Sequence, residues 1–182
     1  SFPERGNWAT HDSKYRGNCS PYVIRNLLLR YSKEGDWVLD QFVGGGTSLV
    51  EAKLLNRNII GIDINPRALE RCKNKIAFDN GEGKVVIRKA DARNLDFIKD
   101  DSIDFICTHP PYADIIQYSE NNDGDISLLG YEDFLNEIEQ VAIEAYRILK
   151  KGKICSFIIG DIRQKGCVRP LGFDTMQRFE RA

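Results

Sequence analysis

Short apolar runs that stop abruptly and give way to helical patterns constrain this chain more than any other feature. Residues 37–42 carry Trp37, Val38, Leu39 and Phe42, a run of the length and richness of a buried strand. A glycine-rich turn follows, then a helical pattern over 47–55. Residues 58–63 repeat the theme, ending in Asp63 and leading into Asn65-Pro66, an N-cap residue and a first-turn proline that open another helix. Further strands are expected at 84–89, centred on Val85, Val86 and Ile87, at 103–107, and at 154–159. Strand, helix and strand in this alternation imply right-handed parallel crossovers, hence an open α/β sheet with helices on both faces.

The remaining helices have their own signals. Ser20 is suited to an N-cap and Pro21 to a first turn, ahead of Ile24, Leu27, Leu28 and Tyr31 at helical spacing. The longest helix is expected over about 131–150, where Phe134, Ile138, Val141, Ala145 and Ile148 recur at three- and four-residue steps, with Gly152 placed to stop it. After the fifth strand, Gly160 to Arg163 starts a polar loop, and a last helix is expected near 173–181. At 182 residues the chain suits one domain, taken here as 1–182. Its 29% charged and 42% hydrophobic residues suit a soluble protein, and no apolar run approaches the roughly 20 residues of a membrane helix. The first residues show no secretory pattern, so a cytoplasmic location is expected. The cysteines, five in number and none at metal-ligand spacing, read as buried free thiols, and no metal is expected. A net charge of -1 means that a polyanionic partner must be held by local patches.

In an open parallel sheet, ligands bind beyond the carboxyl ends of the strands. Three features fall there. Asp40 to Thr47 contains Gly44, Gly45 and Gly46, which let backbone pass close to a ligand before a helix that presents free amides. This turn is no dehydrogenase fingerprint, since the third glycine would fall at Leu49, and no phosphate loop, since the lysine is missing. Asp63, about 20 residues on, is placed to accept from both hydroxyls of a ribose. Asp91, after the third strand, can accept from an adenine amino group. Each carboxylate has a plainer reading, Asp63 as a helix cap and Asp91 as a turn residue.

The third feature is Thr108-His109-Pro110-Pro111-Tyr112. Two prolines remove two backbone donors and leave carbonyls beside an aromatic ring, a setting for a flat aromatic amine. Such an amine is a poor nucleophile because its lone pair is delocalised. Acceptors that take its hydrogens favour the pyramidal nitrogen that can attack a methyl group, so positioning and electrostatics carry the catalysis.

With these residues in view, the chain resembles the amino-methylating DNA methyltransferases, the N4-cytosine and N6-adenine class, from about Trp8 to Ile162. The resemblance implies a Rossmann-like class I methyltransferase fold and S-adenosyl-L-methionine as cofactor. It also implies cofactor contacts at Ser20, Asp40, Phe42, Gly44, Gly46, Thr47, Ser48, Asp63, Ile64, Asp91 and Ala92. His109, Pro110, Pro111 and Tyr112 would form the catalytic loop, with Tyr112 stacking on a base flipped out of DNA. The motif order, with Asn18 to Pro21 first, is similar to the family's gamma arrangement.

Two departures stand out. The family's tetrapeptide begins with Asp, Asn or Ser, where this chain has His109, which leaves cytosine against adenine open. The family's sheet normally continues past the fifth strand, whereas these residues support no further two strands, so target recognition is expected from a partner or another segment. Arg163, Lys165, Arg169, Lys14 and Arg16 are candidate phosphate contacts, and 113–130 a candidate lid. A cytosine-C5 enzyme is disfavoured because no cysteine follows a proline. A guanine-N2 RNA methyltransferase is the main enzymatic rival, and a cofactor-binding subunit of a restriction-modification assembly the rival of another class.

Overall fold

The computed structural model describes residues 6, 8–11, 18–113, 124–164 and 166–182. The apolar runs form five strands: β1 (Trp37–Asp40), β2 (Asn58–Asp63), β3 (Val85–Lys89), β4 (Ile103–Thr108) and β5 (Leu149–Phe157). They lie in the order β3-β2-β1-β4-β5, and each neighbouring pair is parallel. The order reverses between β1 and β4, so the cleft of this sheet opens where those two strands end.

Alternation along the strands feeds two cores. Val38 of β1 and Phe105 of β4 point to the face covered by α1 (Pro21–Tyr31), α2 (Thr47–Leu54) and α3 (Pro66–Lys75), where Ile24, Leu28, Leu49, Ala52 and Leu69 meet them. Leu39 and Ile106, one residue on, point to the opposite face, against Val141, Ala145 and Ile148 of α4 (Tyr131–Ile148) and the turn bearing Leu95 and Ile98. Both strands are thus buried on both faces, which explains why they read as short runs rich in apolar residues, broken in β4 by Asp104. A third cluster joins Phe134, Leu135 and Ile138 of α4 to Ile126, Ile162 and Leu171. It seats the carboxyl-terminal part, a two-stranded antiparallel ribbon of β6 (Ile162–Gln164) and β7 (Cys167–Arg169) followed by α5 (Leu171–Arg181).

Three expectations need correction. Gly152 does not stop α4. The helix ends at Ile148, its cap residue Leu149 already begins β5, and Gly152 lies inside that strand at φ 74. Between the pairs Ile103↔Leu149 and Phe105↔Ile154, β4 advances two residues while β5 advances five, so the strand bulges and glycine supplies the left-handed backbone. Asp104 pins the bulge, accepting from Lys150 Nζ at 2.8 Å and from the Trp37 amide at 3.0 Å. The polar loop at 160–163 turns into the β6–β7 ribbon, too short to show alternation. It pairs with itself and not with the main sheet. The thiols are free but not all buried, for Cys167 is exposed on β7. Among the described residues no helix is long and apolar enough to cross a membrane.

Candidate active site

The glycine turn is held from below by two strand-end carboxylates. Asp40, buried at the end of β1, accepts from the Phe42 amide at 3.1 Å, from Thr108 Oγ1 at 2.9 Å and from Ser48 Oγ. Burial pushes its carboxyl up to about 6 against the pull of those three donors, and the nearby Asp63 adds to the rise. Asp63 accepts from the Gly44 amide at 2.9 Å through one oxygen and from the Asn65 amide at 2.9 Å through the other. It thereby ties the turn to the cap of α3. Its carboxyl is also raised, first by burial, with the Asn65 and Gly44 amides pulling down and Asp125 pushing up. Gly46, at φ 77, passes so close to α3 that a Cβ there would lie 3.0 Å from Cys72 Sγ. Thr47 Oγ1 donates to Asn18 Oδ1 at 2.6 Å, drawing the segment before α1 against the turn.

Asp91 is engaged by its neighbour two residues on. Arg93 donates to it from its amide and from Nε at 2.9 Å each, and from Nη2 at 2.5 Å. Burial alone would raise the Asp91 carboxyl, but Arg93 outweighs it and holds the group below its ordinary value.

The proline loop leaves β4 directly opposite. His109 is half-buried, and among the described residues no hydrogen bond engages its ring. Burial lowers its pKa and so favours the neutral imidazole. Tyr112 meets it edge-on, ring centroids 5.8 Å apart and planes at 89°. Its phenol is raised by burial, with the Gly160 backbone hydrogen bond acting against that rise.

One cavity joins these features. Asp40, Phe42, Gly44, Thr47, Ser48, Asp63, Ile64, Asp91, Ala92, His109 and Pro111 all line it. Of the residues anticipated from the sequence, Ser20, Gly46, Pro110 and Tyr112 stand outside its wall. Ser20 starts α1 without a side-chain cap, and among the described residues its buried Oγ has no partner, while its neighbours Asn18 and Cys19 reach the cavity instead. Arg163 and Arg169 are exposed on the β6–β7 ribbon. Lys14, Arg16 and Lys165 lie outside the described residues, as does 114–123 of the candidate lid.

Sequence reading missed several wall residues. Gln41 is buried, and among the described residues nothing donates to its Oε1, an orphan acceptor at the cavity wall. Arg93, Gly124 and Asp125 also line the cavity. Behind the wall, Glu51 of α2 is fully buried and takes Trp8 Nε1 at 2.7 Å, His11 Nε2 at 2.7 Å and Arg25 Nη1 at 3.0 Å, docking the amino-terminal residues. The only signal for these was local: Arg93 stands two residues after Asp91, a spacing at which an aspartate commonly binds the chain that follows it.

Comparison with known proteins agrees with this geometry. A family profile described as DNA methylase matches residues 2–74, and a second, described as methyltransferase domain, matches 40–110. The tRNA (guanine(10)-N2)-dimethyltransferase of Methanothermobacter thermautotrophicus is 35% identical over 123 residues, 67% of this chain and 34% of that protein. The type II methyltransferase M2.DpnII of Streptococcus pneumoniae is 41% identical over 59 residues, 32% of this chain and 22% of its own length. This chain therefore spans about a third or less of these relatives. Among solved structures, a protein of Clostridium thermocellum provisionally assigned as an rRNA methylase superposes with TM-score 0.63 at 18% identity, covering 90% of this chain and 81% of its own. A S-adenosylmethionine-dependent methyltransferase of Methanosarcina mazei gives TM-score 0.55 at 23% identity, covering 72% and 55%.

Sheet order, strand-end cavity and these matches define a class I methyltransferase fold, the class that takes S-adenosylmethionine. Within that class, the resemblance of the motifs to the amino-methylating family is borne out by the DNA methylase profile and the type II relatives.

Proposed function

We propose that this chain transfers a methyl group from S-adenosylmethionine to an exocyclic amino group of a DNA base, N4 of cytosine or N6 of adenine, and that 1–182 act as one catalytic domain. The carrying observation is that His109 and Pro111 line the same cavity as Asp40, Asp63 and Asp91. The residues fit the cofactor. Their cavity offers acceptors, among them the three carboxylates and the orphan Gln41 Oε1, and the cofactor brings donors: an ammonium group, ribose hydroxyls and an adenine amino group. Asp40 and Gln41 would face the methionine end, Asp63 the ribose, and Asp91 with Ala92 and Ile64 the adenine. When bound, the cofactor supplies an electrophilic methyl group.

The chain's own residues would do the rest. The glycine turn, fixed by Asp40 and Asp63, holds one reactant without further rearrangement. Pro110 and Pro111 offer no amide hydrogen, so their backbone presents acceptors to the base's amino group. The amino nitrogen gains a methyl group and must lose a proton, and His109, whose ring makes no hydrogen bond among the described residues and is favoured in its neutral form by burial, would take it. Tyr112 would stack on the target base, and Arg163 and Arg169 would meet phosphates.

A second reading has a specific observation behind it, since the tRNA guanine-N2 relative aligns over 67% of the chain, against 32% for M2.DpnII. Transfer of labelled methyl to unmethylated duplex DNA and, in parallel, to bulk tRNA, followed by nucleoside analysis, separates the two. N4-methylcytosine or N6-methyladenine in DNA is the expected product. N2-methylguanine in tRNA alone would replace the DNA reading, and cofactor binding without transfer to either would point to a subunit that needs its partner.

A further inference from the structure

Arg93 belongs to no recognised motif of this chain, yet it holds three elements together at one end of the cavity. Beyond its bonds to Asp91, its Nη1 donates to Glu137 of α4 at 2.5 Å and its Nη2 to the Gly124 carbonyl at 3.3 Å. Its side chain is 24% exposed, so these pairs are partly shielded from solvent. Gly124 rests directly on the pair: at φ +85, a Cβ there would lie 2.8 Å from Arg93 Nη2 and 3.3 Å from Asp91 Oδ2. The approach of this backbone to the guanidinium beneath it thus requires glycine.

Counting acceptor sites shows what the arrangement leaves over. A carboxylate oxygen has two lone-pair directions. Asp91 Oδ1 takes two Arg93 donors, amide and Nε, and is filled. Among the described residues, Asp91 Oδ2 takes one, Nη2, and keeps a single acceptor direction fixed by the planar fork of the guanidinium.

We propose that Arg93 is the positioning residue for adenine recognition: by filling Asp91 Oδ1 and orienting Oδ2 beneath Gly124, it leaves one acceptor aimed at an amino group. The inference rests on the cofactor reading above and adds the residue that sets its base selectivity. A purine with a carbonyl at that carbon, as in hypoxanthine, would set acceptor against acceptor.

The test is equilibrium binding of S-adenosylhomocysteine and S-inosylhomocysteine, which needs no turnover. The wild-type chain is expected to prefer the adenine form by about 10-fold to 100-fold, the worth of one hydrogen bond to a charged group. Arg93→Ala should weaken adenine binding and bring that preference to about 2-fold, because a freed Asp91 can turn away. Arg93→Lys, which keeps the charge but not the fork, should restore only part of it. Gly124→Ala, which displaces the pair from above, should also lower the preference while Arg93 is intact. If Arg93→Ala loses affinity for both compounds equally and keeps the wild-type preference, the residue merely supports the fold and the proposal fails. If the wild-type chain binds neither compound, the cofactor reading itself falls.

Discussion

The two loops that face each other across the cavity are held in opposite ways. On the glycine side, backbone amides of Phe42, Gly44 and Asn65 and the hydroxyls of Ser48 and Thr108 all converge on Asp40 and Asp63. On the proline side, His109 makes no ring hydrogen bond among the described residues, and its aromatic partner is the edge of Tyr112. The first loop is finished before any ligand arrives. The second keeps its polar capacity for what enters. The proposed function calls for this division, with one reactant a small molecule bound in a fixed pose and the other a base delivered from a polymer.

Removing Asp40 should break the contrast most severely. Asp40→Ala orphans three donors under the turn, and we expect a loss of about 3 kcal/mol of stability, read by denaturant unfolding, together with loss of S-adenosylhomocysteine binding by calorimetry. Affinity unchanged from wild type would remove the glycine side from the site. Tyr112→Ala should sharpen the contrast from the other side. Cofactor affinity stays, while kcat/KM on nucleic acid falls about 10-fold to 100-fold, the worth of one stacked base. Full turnover in that variant would end the stacking role.

A smaller effect separates the loops by pH. The Asp40 carboxyl stands at about 6 in the folded chain against 3.8 ordinarily. The unfolded chain therefore releases this proton first, and the group's contribution to stability is present below about pH 4 and declines as pH rises toward 6. Melting temperature followed across that window should show this decline in the wild type and lose it in Asp40→Asn. His109 is shifted downward by burial, so the acid limb of kcat should fall below the ordinary imidazole value of 6.5. A limb that is unmoved in His109→Asn would assign that titration to another group.

Most of the sheet could be read from sequence because β1, β2 and β4 are buried on both faces and are therefore rich in apolar residues. The α4–β5 junction could not. A glycine after a basic stretch has the form of a helix stop, and only pairing with β4 shows that Gly152 serves a bulge. The site divides similarly. Asp63 and the glycines announce themselves through spacing from strand ends, and the structure places Asp63 and Gly44 on the cavity wall. Gln41 gave no signal, since its meaning lies in an acceptor left without a donor among the described residues after folding. Glu51 looked like an ordinary helix residue, and nothing local connects it to Trp8 and His11, about 40 residues earlier in the chain.

The bond from Thr108 Oγ1 to Asp40 links the last residues of two adjacent strands, β4 and β1. Neighbouring parallel strands stand about 4.8 Å apart, a spacing set by the peptide group and not by any side chain. The glycine loop and the proline loop thus grow from a fixed gauge. If the chain acts as proposed, side chains on either loop could be exchanged to suit a different base without altering the separation across which a single carbon would pass, so the choice of target could drift while the backbone conserves the reaction distance.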